Sequence, residues 1–310
     1  MTKQTMVLDA AGQAFFAREL EHVKARSYDV KFRELTFRSV FPIASDAAPG
    51  AEFITYQSFE QLGQARIINN YARDLPRADV AGKEESVKVR SVGISFGYTV
   101  KEIQAAQMVG RSLDQRKANA AQRAVETELN RIAYRGDSNH GLIGLLTDNN
   151  GIQRVAAPKP WSGAGAASPS EILDQINSWF SLIHDNSGGA EMANRLALPI
   201  DKWQMLHSRR FTDGGDRKSI AGWLVENSPY INSLDDLVWV DELKSAVSNQ
   251  DVGFVYSFDA ETIEFQMPEE LVFYQEQMNG LEYTVPGKAE CGGLIIYYPM
   301  AHRIITGLSA

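Results

Sequence analysis

The sequence predicts an α+β chain, and three observations carry that reading. Two early stretches, AEFITYQSF from Ala51 and SVKVRSVGISFGYT from Ser86, alternate with the period of two that a strand requires. Residues 100–135 then switch to helical periodicity behind a capping box. From residue 237 onward, short apolar strand patterns dominate: LVWV, VGFVYSF, TIEFQM, GLEYTV and CGGLIIYYP.

Taken in order, residues 1–50 read as an arm. Leu8–Leu20 has the pattern of a short amphipathic helix, and YDVKFRELTFRSVFPI after it is expected to be extended. Val30, Phe32, Leu35, Phe37, Val40, Phe41 and Ile43 are too many large apolar groups for a free arm, so they must be buried on this subunit or on a neighbour. Residues 51–99 read as a long β-hairpin excursion around a polar stretch that carries Gly63, Pro76 and Gly82. Two strands cannot bury a face against each other, so such a hairpin needs another surface.

Thr99-Val-Lys-Glu102 is a capping box: the Thr99 hydroxyl accepts from the Glu102 amide while the Glu102 side chain reaches back. An apolar stripe from Ile103 to Ile132 follows, and Gly136 suits the left-handed position that ends a helix. Unbroken, that helix would be about 54 Å long, with a bend expected at the polar centre Asp114–Asn119. Ala156–Ala167 reads as a connector. Ser168-Pro-Ser-Glu171 starts a second capped helix that runs to about Asp185. A buried strand (NRLALPI), a helix (DKWQMLHSRR) and a helix over Ser219–Glu226 complete the middle of the chain.

Composition narrows the function classes. With 44% hydrophobic and 23% charged residues, the 310-residue chain is of ordinary globular type. No apolar run reaches the roughly 18–20 residues of a membrane span. The N-terminal segment has charges inside its apolar part, so secretion is not expected. A single cysteine, Cys291, forbids an intrachain disulfide and fits a reducing compartment. The net charge of −8, with acidic and basic residues interleaved, argues against a dedicated DNA-binding protein. It is compatible with a container whose wall must let DNA slide.

Motifs of catalysis are not found. GAGAAS at Gly163 lacks the preceding strand and third glycine of a dinucleotide loop. Asp137–Asp148 lacks the central glycine and the terminal glutamate of a calcium loop. The five histidines, 22, 140, 184, 207 and 302, show no i, i+4 metal pair. Cys291 reads as a small core residue. The expectation is therefore no enzyme, no cofactor and no metal. The open alternative is a soluble enzyme with a fold-distributed site.

The order of elements, an apolar arm, β-excursion, long capped helix and mixed body closing on antiparallel strands, resembles that of Hong Kong 97-type capsid proteins. Local stretches resemble one branch of that family, the phage major capsid proteins. These are Asp9-Ala-Ala-Gly12-Gln-Ala-Phe-Phe-Ala-Arg-Glu-Leu20, Tyr28-Asp29, Thr36–Ile43, Pro49–Glu52, Gly63–Arg66, Tyr71–Pro76, Phe96–Thr99, Arg135–Asp137 with Gly141–Leu146, and Gly292–Ala301. The likeness is weakest over 186–240.

This resemblance implies a Hong Kong 97-like fold with an N-terminal arm (1–50), an E-loop (51–99), a spine helix and P-domain (100–165), an A-domain (166–261), and return strands with the C-terminal segment (262–310). It implies a self-assembling subunit of pentamers and hexamers in an icosahedral head that encloses double-stranded DNA. Portal and scaffolding proteins, and decoration proteins where used, would be its further partners. The protein would reside in the virion and assemble in the host's bacterial cytoplasm. Only about fifty residues precede the excursion, so any scaffold is expected to be a separate protein.

E-loop residues Arg66, Arg73, Asp74, Arg77, Lys83, Glu84 and Glu85 would set the register between subunits, and Lys83 and Lys88 are available for the crosslink that some relatives form. Asp213, Gly214, Gly215 and Asp216 would form the A-loop near a symmetry axis. Thr99, Glu102 and Gly136 are structural caps. Competing readings are an encapsulin-type nanocompartment shell, which shares the fold, and a tail or baseplate component.

Overall fold

The computed structural model describes residues 32–62, 77–109, 114–163, 165–211, 218–247 and 249–309. It divides into Met1–Glu34, of which 32–34 are described, and Leu35–Ala310, which holds every element below. The expected helix over Leu8–Leu20 lies outside the described residues.

A one-turn helix, α1 (Phe37–Val40), stands where the alternating sequence predicts extended chain. The correction has a packing cause. Phe37, Val40 and Phe41 have the i, i+3, i+4 spacing of a helix face, and one turn buries all three completely. Phe37 meets Phe265 edge-on at 5.5 Å, and Phe41 lies 5.6 Å from Tyr134. Asn130 fixes the turn: its Oδ1 accepts the Phe37 amide at 3.2 Å while its Nδ2 donates to Glu242 at 2.5 Å.

The strands β1 (Ile43–Ala44), β2 (Phe53–Leu62), β3 (Asp79–Lys88) and β4 (Arg90–Thr99) follow. β2 and β3 pair antiparallel over ten residues as a two-stranded ribbon. β4 does not continue it. It pairs for ten residues with β12 (Glu282–Cys291), in a sheet that also holds β10 (Glu269–Phe273) and β11 (Gln277–Asn279). The excursion expected over 51–99 is thus shorter than the sequence suggests, because 90–99 belongs to the body. The switch is at Val89, which is buried and still donates its amide to Glu52 at 2.9 Å. Beyond it the apolar set changes phase, from Val87 and Val89 to Val92, Ile94, Phe96 and Tyr98.

The chain is helical over α2 (Val100–Val109) and α3 (Asp114–Arg135). α3 packs on β4 and buries Ala121, Val125, Leu129, Ile132 and Ala133. Gly136 ends it at φ 65°, where a Cβ would stand 2.6 Å from Leu142 O and 2.8 Å from Gly144 N. That absence of side chains lets 141–146 fold back on the helix end. Leu145 and Leu146 amides then take the Ala133 and Tyr134 carbonyls at 2.9 and 2.7 Å, which would otherwise lack partners.

A second core forms under α4 (Pro169–Asn186), whose Ser168–Glu171 capping box and N1 proline are both present. Its buried stripe, Ile172, Ile176, Trp179, Phe180 and Ile183, packs with groups of α5 (Ile200–Ser208) and α6 (Ile220–Asn227). Between the two cores runs a five-stranded sheet in the order β5–β14–β8–β6–β7, formed by Gln153–Ala156, His302–Thr306, Gly253–Tyr256, Arg195–Leu198 and Leu237–Trp239. A three-stranded sheet joins β1, β9 (Ile263–Gln266) and β13 (Gly293–Ile296).

Gly136→Val puts a β-branched residue at positive φ against backbone and should cost about 3 kcal/mol or more; an unchanged urea midpoint would contradict this. His302 is fully buried, and desolvation holds it neutral down to about pH 4 against an ordinary value of 6.5. The unfolded chain therefore binds the extra proton first as pH falls. Stability should decline by about 3 kcal/mol between pH 6.5 and 4, and His302→Gln should flatten that decline in denaturation series.

Candidate assembly interface

The ribbon sorts its side chains by the pleat. One face carries Phe53, Thr55, Gln57, Phe59, Val80, Gly82, Glu84, Ser86 and Lys88; the other carries Ile54, Tyr56, Ser58, Lys83, Glu85 and Val87. Ile54, Tyr56 and Val87 are half-buried, because Tyr56 and Ile54 lean on the body. The first face has no such cover among the described residues. Phe53, Phe59 and Val80 are 54, 65 and 57% exposed. The Phe59 ring lies across Gly82, 3.1 Å from where a Cβ would be, so the glycine makes room for a flat aromatic surface.

The charges expected to set register divide differently. Lys83 and Glu85 form an ion pair with each other, and Glu85 also accepts the Tyr56 hydroxyl at 2.6 Å. These bonds hold the Glu85 carboxyl below the usual carboxylate range, Lys83 foremost. Glu84 is exposed on the apolar face, and Arg77 is exposed just before β3. Arg66, Arg73 and Asp74 lie outside the described residues, as do Asp213, Gly214, Gly215 and Asp216. The flanks of the latter segment come together through an antiparallel bridge between Arg210 and Ser219.

The caps sit where the body strand β4 becomes helix. β4 ends at Thr99 and α2 begins at Val100. The Thr99 amide donates to Glu102 Oε2 at 2.9 Å, and the Glu102 amide donates to Thr99 Oγ1 at 3.3 Å. The Thr99 backbone bond is the main reason the Glu102 carboxyl stays ionised to lower pH than usual. Lys117 locks the junction from α3: its ammonium donates to the Gly97 carbonyl at 2.6 Å and lies 4.2 Å from the Tyr98 ring centre.

Sequence reasoning missed further exposed apolar groups. Met108 on α2 is 89% exposed, and Met278 and Leu281 at the β11–β12 turn are 62 and 77% exposed. Leu281 had a readable signal, since it follows Gly280 in a tight turn, where an apolar residue has no core to enter. Among the described residues no group of three or more His, Cys, Asp or Glu could hold a metal ion. Nor is any described helix long and apolar enough to cross a membrane.

Comparisons with known proteins agree with this geometry. A family model described as major capsid protein matches residues 63–308. Among solved structures, "The capsid of Myoviridae Phage XM1" superimposes with a TM-score of 0.79 at 19% identity, covering 99% of this chain and 100% of that one. "Capsid of native GTA particle computed with C5 symmetry" gives 0.68 at 9% identity, over 98% and 100%. A chain from Mycobacterium phage Bobi gives 0.65 at 10% identity, over 95% and 97%. A search of curated protein sequences found no match.

The junction is testable by itself. Thr99→Ala removes one side of the box and should lower stability by about 1 kcal/mol. Glu102→Ala should do the same, and the double variant should cost less than the sum, since both act on one cap. Strict additivity in thermal unfolding would contradict a shared cap.

Proposed function

The chain belongs to the major capsid protein family, and we propose that it closes as pentamers and hexamers into the icosahedral head of a tailed bacteriophage around double-stranded DNA. The observation that carries this reading is the ribbon. A ten-pair hairpin with Phe53, Phe59 and Val80 bare on one face has no physical reason to stand off a monomer. A neighbouring copy supplies the missing surface, and the same contact repeated head to tail closes a ring.

On this reading 1–50 is the arm, and the E-loop of the expected 51–99 reaches the neighbour through its paired strands, 53–62 and 79–88. The segments 100–165, 166–261 and 262–310 serve as spine with P-domain, A-domain, and return strands with the C-terminal segment. Arg66, Arg73, Asp74, Arg77 and Glu84 meet the adjacent subunit, while Lys83 and Glu85 first stiffen the ribbon. Asp213–Asp216 lies near a symmetry axis. The role is structural and assigns the chain no catalytic step, cofactor or sequence-specific DNA contact. Portal and scaffolding proteins, with decoration proteins where the head uses them, are the remaining partners. Assembly takes place in the bacterial cytoplasm and the product is the virion.

The test separates folding from assembly. Phe59→Ser with Val80→Ser changes two exposed side chains and should leave the melting temperature within about 2 °C, since surface substitutions cost little. Shell yield, read by sizing and negative-stain microscopy with scaffold present, should fall at least tenfold. Normal shells from the double variant would contradict the reading. In wild-type shells, enclosed nucleic acid supports a phage head, whereas a co-purifying cargo enzyme would point to a nanocompartment.

A further inference from the structure

The ribbon leaves the body through a small joint of aromatic and buried polar groups. Tyr56 of β2 sets its ring edge-on to Tyr297, with centroids 4.9 Å apart at 84°. Tyr297 donates its hydroxyl to Glu264 of β9, and Gln266 Nε2 holds the same carboxylate oxygen at 2.6 Å. Glu264 is only 8% exposed, so this side of the joint cannot swing into water without breaking both bonds. On the ribbon side, the Tyr56 hydroxyl is tied across the strands to Glu85.

Two backbone approaches complete the joint. Ile54 reaches over Gly292, where a Cβ would meet its Cδ1 at 3.4 Å and Gln266 Cβ at 3.0 Å. The chain entering β2 is held by the Gly50 amide, which donates to the buried Glu290 at 2.8 Å. Neither the ribbon nor the cores require Tyr56 on Tyr297. The β2–β3 ladder is complete over ten pairs without them, and neither tyrosine belongs to a buried cluster. What the contact fixes is an angle.

We propose that the Tyr56–Tyr297 joint is a latch that holds the β2–β3 hairpin at one angle to the body before assembly. Without it the ribbon keeps only its chain connections at 50–52 and Val89 and the Ile54 contact over Gly292, about which it can pivot. Holding it beforehand removes an ordering cost that each intersubunit contact would otherwise carry. This use in assembly rests on the shell reading above, whereas the latch itself is a property of the single chain.

The experiment places spin labels on the full chain at Ser58→Cys in the ribbon and Ala260→Cys in the body, both exposed sites. Cys291 is fully buried and stays unlabelled. Distance distributions are measured by pulsed electron resonance on unassembled protein. We expect one narrow distribution in the parent and in Tyr56→Phe, which keeps the ring contact. Tyr56→Ala should broaden it at least twofold with an unchanged melting temperature. Tyr297→Leu should broaden it as well, with a lower melting temperature, because the buried Glu264 loses a donor. A parent distribution already broad, or Tyr56→Ala as narrow as the parent, would overturn the latch. Shells are scored in parallel. A parent that forms none with scaffold removes the use in assembly, while the labels still decide the latch.

Discussion

The ten-residue register between β4 and β12 is the constraint on which the rest of the molecule depends. It places one end of a continuous strand in the body and leaves the other end, β3, to run outward with β2. It also fixes where that strand becomes helix, so the Thr99–Glu102 cap, the Lys117 contact and the α3 packing face follow from the same pairing. A one-residue slip would turn Val92, Ile94, Phe96 and Tyr98 away from α3. Gly287 guards the register from the β12 side, since a Cβ there would stand 2.7 Å from the Phe273 ring.

Two kinds of surface result. The body closes on itself: α1 from the arm, α3 and the sheets bury Phe37, Phe41, Leu129, Phe254 and Phe265 completely. The ribbon, α2 and the β11–β12 turn do not close, and they carry Phe59, Met108 and Leu281 into solvent. A chain that buries its core this thoroughly, yet leaves those groups bare, is built to meet further copies. The acidic balance of −8 suits the same task, because the interior wall of a DNA container gains nothing from gripping phosphates.

Much of this was legible in the sequence because it rests on local rules. The Ser168-Pro-Ser-Glu171 cap, the stripe from Ala121 to Ile132 and the apolar strands at 253–256 and 293–296 stand as their patterns predict. The split at Val89 was encoded too, as a phase slip from odd to even apolar positions, but the continuing alternation hides it from a simple period-two reading. Likewise Phe37, Val40 and Phe41 carry helical spacing inside a stretch whose earlier residues alternate. The open face of the ribbon was not legible. Both faces hold aromatic groups, Phe53 and Phe59 on one and Tyr56 on the other, and only the docking of Tyr56 on Tyr297 shows which is spent within the chain.

The central claim is that the ribbon's bare face is completed by another copy of the chain. An electron cryo-microscopy reconstruction of assembled shells tests it most directly. The account predicts ribbon density lying across an adjacent subunit, with Phe53, Phe59 and Val80 buried beneath it. Ribbons folded onto their own body, or projecting freely from the shell with that face in solvent, would contradict it.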